Sequence, residues 1–404
     1  MKKAQLILFG GRASIPNMLT IVHQKPDIIV AISSQESFKD LPKLEKSINA
    51  LLPNCEIRKP KAVDGFDLRQ IQETCKKELM EYPDAEWIFN ITSATTIMSI
   101  AAYEVAKNNA DTMAIQCVYV DTNHSRLISL VGDIFSITVK AYIAAYYYKT
   151  GYGSFKNHRS HYRQESWTRF AEQLGGSLEK VAILKQVVEE LRGNPPQEST
   201  DDAITRDCPI KKFATYDIDE VYSFLEGAQQ IGILSELQKE NSSSIMFKLS
   251  ERQYKFLNGA WLELYVWNEA IKLGIFDDCE WDLEIIDSEV TKTSGKPFPH
   301  KELDVSMTYK AQLMFAECKT GKTASDTGTL DDIVTKAALL GGKFVTKLLI
   351  TNVSKSVKQG HNETGITEDF VHKACERGIR VVAAEELPKI AEILEQEAKD
   401  SARI

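Results

Sequence analysis

None of the seven cysteines forms a Cys-x-x-Cys pair with another, which argues against both a zinc knuckle and a disulfide framework. Cys55, Cys75, Cys117, Cys208, Cys279, Cys318 and Cys375 are scattered and read as small buried hydrophobes of a reducing compartment. The histidines, His300 and His361 among them, show no HxH or HxxxH spacing, so a histidine metal site is not expected. Long hydrophobic runs are missing as well: the apolar stretch in MKKAQLILFGGRA is too short for a span and is followed by Arg12. A cytoplasmic protein with no membrane partner is expected. Positive charge is also in short supply, with 49 Lys and Arg against 57 Asp and Glu and a net charge of −8. Tight, nonspecific coating of nucleic-acid phosphates is thereby disfavoured, and any chemistry on them needs local cations or metal ions.

What is present has the make-up of a globular protein, 43% hydrophobic and 26% charged over 404 residues. That length suggests about two or three domains. We divide the chain into 1–151, 152–250 and 251–404. Up to about Gly151, strand-like runs at 4–10, 27–33, 56–63, 86–92 and 113–121 alternate with amphipathic helical stretches. Such alternation predicts an α/β domain with a mainly parallel sheet, whose ligands bind beyond the carboxyl ends of the strands.

Two loops lie there. Gly10, Gly11, Arg12, Ala13 and Ser14 combine flexible backbone with a cation and a hydroxyl. Asn90, Thr92, Ser93, Ala94, Thr95 and Thr96 end a strand and open a helix, where free N–H groups and the helix dipole favour an anion. The competing reading of the second loop is a helix cap by Thr92 or Ser93. The aromatic run Tyr142, Tyr146, Tyr147 and Tyr148 reads as packing or a subunit interface.

Residues 177–192 predict an amphipathic helix, 193–207 a polar linker, and the stretch to 250 a small helical, winged-helix-like connector. Its cations are few and interleaved with acids, which favours a mechanical role over DNA reading.

Residues 301–322, KELDVSMTYKAQLMFAECKTGK, alternate without a helical stripe and predict a hairpin turning at Lys310 to Gln312. Side chains alternate along a strand, so Glu317 and Lys319 share one face, opposite to Cys318, and Asp304 can reach it from the neighbouring strand. Two carboxylates and a lysine so placed suit metal-assisted phosphodiester hydrolysis. Asp304 and Glu317 offer hard oxygen ligands to Mg²⁺ or Mn²⁺, and Lys319 a cation for the attacking water or the phosphate. Upstream, Glu263 sits in an apolar helical stripe with Ala260, Val266, Trp267 and Ala270, an expensive place for an unpaired carboxylate. Helix, strand, helix and strand follow over 329–387.

The order helix Glu, strand Asp, then Glu-x-Lys resembles the PD-(D/E)xK nuclease core. FLNGAWLELYVWNEA, ELDVSM and FAECKTGK are similar to its form in the ancillary nucleases of type III CRISPR systems. That resemblance implies a restriction-endonuclease-like domain with Glu263, Asp304 and Glu317 as metal ligands and Lys319 as a catalytic partner. The first domain resembles a CARF domain, the Rossmann-like sensor of cyclic oligoadenylates, whose loop reads N-x-T-G-G-T-K. Asn90, Thr92 and Thr95 match, while Ser93 and Ala94 replace the glycines and Thr96 the lysine. The two loops named above are thereby implied as the ligand site. The resemblance further implies a homodimer, activation by a cyclic oligoadenylate with cyclic tetra-adenylate the expected ring, and single-stranded DNA, duplex DNA or RNA as substrate. The rival is a ligand-responsive DNA-binding regulator without catalysis, which has no use for the acid and lysine set.

Overall fold

The computed structural model describes residues 2–10, 15–121, 124, 126–133, 136–138, 155–157, 162–192, 206–210, 216–241, 244–286, 299–340, 345–359 and 362–401. Gly11, Arg12, Ala13, Ser14, the four tyrosines 142 and 146–148, and His361 lie outside the described residues.

The N-terminal sheet joins β1 (Lys3–Phe9), β2 (Ile28–Ser34), β3 (Glu56–Ile57), β4 (Lys61–Val63), β5 (Glu86–Asn90), β6 (Ile115–Asp121), β7 (Arg126–Val131) and β8 (Ser136–Thr138). Its order is β3-β2-β1-β5-β6-β7-β8, with β4 also on β2. The pairs from β3 to β6 are parallel, and β7 and β8 are antiparallel additions. The 56–63 run, expected as one strand, splits into β3 and β4.

Every residue of β2 is buried, as a sheet covered on both faces requires. Met18 of α1 (Ile15–Gln24) and Leu44 of α2 (Leu41–Leu51) share a cluster with Ile7 and Ile29. Cys75 of α3 (Leu68–Glu81) and Met98 of α4 (Thr96–Asn109) cluster with Leu6, Leu8 and Val30. The strand order reverses between β1 and β5, so the crevice of this doubly wound sheet opens where Gly10 meets the 90–96 loop.

The connector carries α5 (Glu165–Gly175), α6 (Leu178–Arg192) and α7 (Ile218–Gln230). Its antiparallel sheet, ordered β10-β12-β11, comprises β10 (Arg206–Ile210), β11 (Ser235–Asn241) and β12 (Ser244–Leu249). One strand from this stretch, β9 (Phe155–Asn157), instead forms the edge of the C-terminal sheet by pairing with β13 (Asp278–Ile286). Connector and C-terminal domain also share one apolar cluster that includes Leu225, Phe247, Trp261 and Met314. Gly175 admits this packing, since a Cβ there would stand 2.2 Å from the ring of Tyr265.

In the C-terminal domain, α8 (Glu251–Lys255) runs through a π turn, Phe256–Ala260, into α9 (Trp261–Leu273). The sheet order is β19-β16-β15-β14-β13-β9, with β14 (Pro299–Tyr309), β15 (Gln312–Lys319), β16 (Thr346–Thr351) and β19 (Ile379–Val382). A β17–β18 hairpin (Val357–Gln359, Asn362–Thr364) stands apart. The helices after the central hairpin are α10 (Thr327–Leu340), α11 (Glu368–Glu376) and α12 (Ile390–Ser401).

The β14–β15 hairpin is tighter than its sequence suggested. Gln312 already pairs with Tyr309, and the turn is Lys310 and Ala311 alone, at φ +46° and +58°. Positive φ at both centres is the mirror-image turn that matches strand twist, here built without glycine. Among the described residues no helix is long and apolar enough to cross a membrane.

Candidate active site and sensor loop

Antiparallel pairing of Val305 with Ala316 brings Asp304 and Glu317 side by side at the end of the hairpin. Asp304, Glu317 and Lys319 open into one cavity of about 470 Å³, also lined by Glu302, Asp326, Thr329, Asp332 and Lys336. Lys319 Nζ lies 2.5 Å from Glu317 Oε1 and 3.7 Å from Asp304 Oδ2. Asp304 Oδ2 also accepts the Cys318 backbone N–H at 2.7 Å, which locks its carboxylate across the hairpin.

Glu263 is buried on α9 and accepts the Trp281 indole N–H at 3.0 Å, so its place in the apolar stripe is satisfied from β13. The π turn before it tolerates a displaced backbone because Thr320 Oγ1 donates to the Asn258 carbonyl at 2.6 Å. That bond ties the helix to the segment following Lys319.

Sequence reasoning missed Lys336. Its ammonium, 5% exposed, sits 2.6 Å from Glu317 Oε2 and 3.1 Å from Asp332 Oδ2. The signal was available in α10, where position 336 falls in the apolar stripe of Ile333, Ala337 and Leu340.

Burial, then the charges of Glu317 and Glu263, push the Asp304 carboxyl well above the usual carboxylate range, against the pull of Lys319 and Lys336. Burial works against both ammonium groups, yet the facing carboxylates outweigh it and hold Lys319 and Lys336 above the ordinary lysine value. The set therefore wants positive charge at Asp304.

As placed here, among the described residues, no group of three or more His, Cys, Asp and Glu side chains is arranged to hold a metal ion. Lysines engage both oxygens of Glu317. The donor chemistry still fits a hard divalent cation: buried carboxylates, one of them with a destabilised charge, line a polar cavity.

In the N-terminal crevice, Asn90 is wholly buried. Its amide donates to the Pro16 carbonyl, Asn17 Oδ1 and Thr20 Oγ1 at 3.2, 2.9 and 2.9 Å. Its Oδ1 accepts from the backbone N–H and hydroxyl of Thr92, and Thr92 Oγ1 accepts from Val120 N. Thr95 caps α4 by accepting from Met98 N at 3.2 Å and donates to the Gly65 carbonyl at 2.7 Å. These three side chains shape the loop from within.

Gly10 N donates to the Ser93 carbonyl at 3.0 Å, and a Cβ on Gly10 would come within 2.7 Å of Met98 Sδ. Ser93 is 5% exposed, and its hydroxyl has no hydrogen-bond partner among the described residues. Ala94 is half-buried and Thr96 exposed.

Residues 12–142 match the family model described as Card1 CARF domain, and residues 250–401 match the model described as Card1-like, endonuclease domain. The chain thus joins a Card1-type CARF domain to a Card1-like endonuclease domain. No curated protein matches it. Can2 from Sulfobacillus thermosulfidooxidans, solved in complex with cyclic tetra-adenylate, is similar in fold, with TM-score 0.65 and 16% identity over 98% of this chain and 99% of that one. Protein VC1899 from Vibrio cholerae is also similar, with TM-score 0.72 and 16% identity over 98% of both chains. The acid and lysine cavity thus belongs to the endonuclease domain and the β1–β5 crevice to the CARF domain.

Proposed function

We propose that this CARF endonuclease is switched on by a cyclic oligoadenylate, with cyclic tetra-adenylate the first ring to test. It hydrolyses phosphodiester bonds of DNA or RNA with Mg²⁺ or Mn²⁺, as a cytoplasmic homodimer in type III CRISPR antiviral defence. The observation that carries this reading is the convergence of Asp304, Glu317 and Lys319 in one cavity at the end of the β14–β15 hairpin.

Asp304 and Glu317 are the residues that would hold the metal, with Glu263 completing the set from α9. The ion, when bound, supplies Lewis acidity at the phosphoryl oxygen and a water of lowered pKa. Lys319 is one-third exposed and so is free to leave Glu317 for the scissile phosphate, where its ammonium stabilises developing charge. Asp304 stays locked by the Cys318 N–H, which fixes one ligand while the other side of the site rearranges.

In the CARF domain, Gly10, the backbone of Ser93 and Ala94, the Ser93 hydroxyl and Thr96 form the ligand-facing set. Asn90, Thr92 and Thr95 hold that loop in shape. Gly11, Arg12, Ala13 and Ser14 complete the proposed ligand site. A ligand astride the twofold axis of a dimer favours one placement of the two endonuclease domains, which is the coupling that activation requires.

The test is incubation of purified protein with Mn²⁺ and labelled single-stranded and duplex DNA and RNA, with and without each cyclic oligoadenylate. Cleavage that appears only with one ring establishes activation and substrate together. No cleavage under any combination rejects the reading.

A further inference from the structure

A net charge of −8 leaves open how an acidic chain holds a polyanion beside its active site. The connector supplies an answer. Lys319 pairs in register with Thr351 of β16, and the residues just beyond, Asn352, Ser354 and Lys355, form one wall of a groove of about 560 Å³. Helix α6 forms the other wall and presents Lys185.

Two turns further along α6, Arg192 reaches over Gly321, two residues after Lys319. A Cβ there would stand 2.8 Å from Arg192 Nη2, and the backbone adopts φ +74°. Gly321 is in turn fixed by donating to Asn352 Oδ1 at 3.1 Å. Lys185 and Arg192 are both exposed, and neither makes an ion pair or hydrogen bond among the described residues. Lys355, by contrast, is partly neutralised by Glu386 at 3.4 Å, and Glu179 also lines the groove.

We propose a nucleic-acid track that passes Arg192 over Gly321 and enters the groove between α6 and residues 352–355, with Arg192 and Lys185 holding backbone phosphates of the strand leaving Lys319. This rests on the endonuclease reading above. Successive phosphates along a strand are roughly 6–7 Å apart, about twice the axial spacing per phosphate in duplex DNA. Arg192 over Gly321 therefore serves a phosphate within one or two of the scissile one, and Lys185 one further out. Contacts of this kind position a strand and carry no sequence preference. They also place positive charge locally, as an acidic protein must.

The test compares Lys185→Ala, Arg192→Ala and the double variant with the parent and with Lys180→Ala, a cation on the same helix that lines a different cavity. Binding of labelled nucleic acid is followed by fluorescence anisotropy across salt concentrations, and cleavage at saturating Mn²⁺. Lys185→Ala and Arg192→Ala are each expected to weaken binding about tenfold at low salt. The double variant should flatten the logarithmic salt slope by about 1.4 to 1.8, at 0.7 to 0.9 for each lost phosphate contact. The loss falls on KM rather than kcat. Charge reversal to Glu deepens it without lowering the melting temperature, whereas a purely structural role would lower melting and leave the slope alone. A double variant with the parent's slope, or one that loses kcat at unchanged KM, overturns the track while cleavage by the parent keeps the endonuclease reading. A parent that neither binds nor cleaves overturns both.

Discussion

The Lys336 ammonium stands 2.6 Å from Glu317 Oε2, and both side chains are almost wholly buried. Glu317 is thus gripped from two sides, by a half-open lysine on its own strand and by a closed one on α10. Breaking a buried pair leaves a desolvated charge, which costs about 3–5 kcal/mol where nothing else compensates. Here Lys319 remains, so Lys336→Met should cost less, about 2 kcal/mol, read as a lower urea midpoint. Mn²⁺ should restore part of the loss by replacing the missing positive charge on Glu317. Equal midpoints for variant and parent would remove Lys336 from the structural account of the site.

The same grip separates two substitutions that look equivalent in sequence. Lys319→Ala removes a one-third exposed ammonium, so cleavage should be abolished with little change in thermal stability. Glu317→Gln should also abolish cleavage, but it takes from the buried Lys336 its nearest carboxylate, leaving the ion pair with Asp332 and the more distant charge of Asp304, and should melt several degrees lower. Parallel melting and cleavage assays on both variants decide this. Full cleavage by either one rejects the assigned site.

Asp304 sets the pH dependence. Its folded-state pKa is raised, first by burial and then by Glu317 and Glu263. The cost of its charge is therefore relieved on acidification, and stability falls as pH rises from the ordinary carboxylate value through the raised one. Lys319 and Lys336 are raised too and stay charged throughout that window. A metal that takes Asp304 must displace its proton, so the Mn²⁺ midpoint for cleavage should fall with rising pH, by about tenfold per unit while Asp304 remains protonated. A midpoint independent of pH from the ordinary carboxylate range upward, wherever the protein stays folded, would exclude Asp304 as a ligand that exchanges proton for metal.

Much of this was legible because β structure writes its faces into sequence at a period of two. Asp304, Glu317 and Lys319 meet as alternation demands, and the parallel order of the first sheet follows from its helix and strand alternation. Lys336 was not legible from composition, since a lysine on a helix is ordinarily solvated; only its place in an apolar stripe marks it. Asn90 misled in the opposite direction. A polar residue at a strand end reads as ligand-facing, yet its amide turns inward to bind α1, a long-range contact that no local pattern encodes. The β9 edge strand was missed for the same reason, as its partner lies more than a hundred residues away.

The sensor loop offers a test in which stability and affinity move in opposite directions. Ser93 buries a hydroxyl with no partner among the described residues, and an unsatisfied buried hydroxyl costs about 1–3 kcal/mol. If the ring's phosphate or ribose supplies the missing partner, Ser93→Ala should raise the melting temperature of the free protein, because the orphaned group is gone. The same change should weaken cyclic tetra-adenylate binding, about tenfold for one lost hydrogen bond to a charged group. A purely structural serine gives the first effect without the second. Calorimetric titration beside thermal melting separates the cases: a variant that is more stable and binds the ring as tightly as the parent would place the ligand elsewhere in the crevice. One that is less stable would show that the hydroxyl is satisfied in solution, by water, before any ligand arrives.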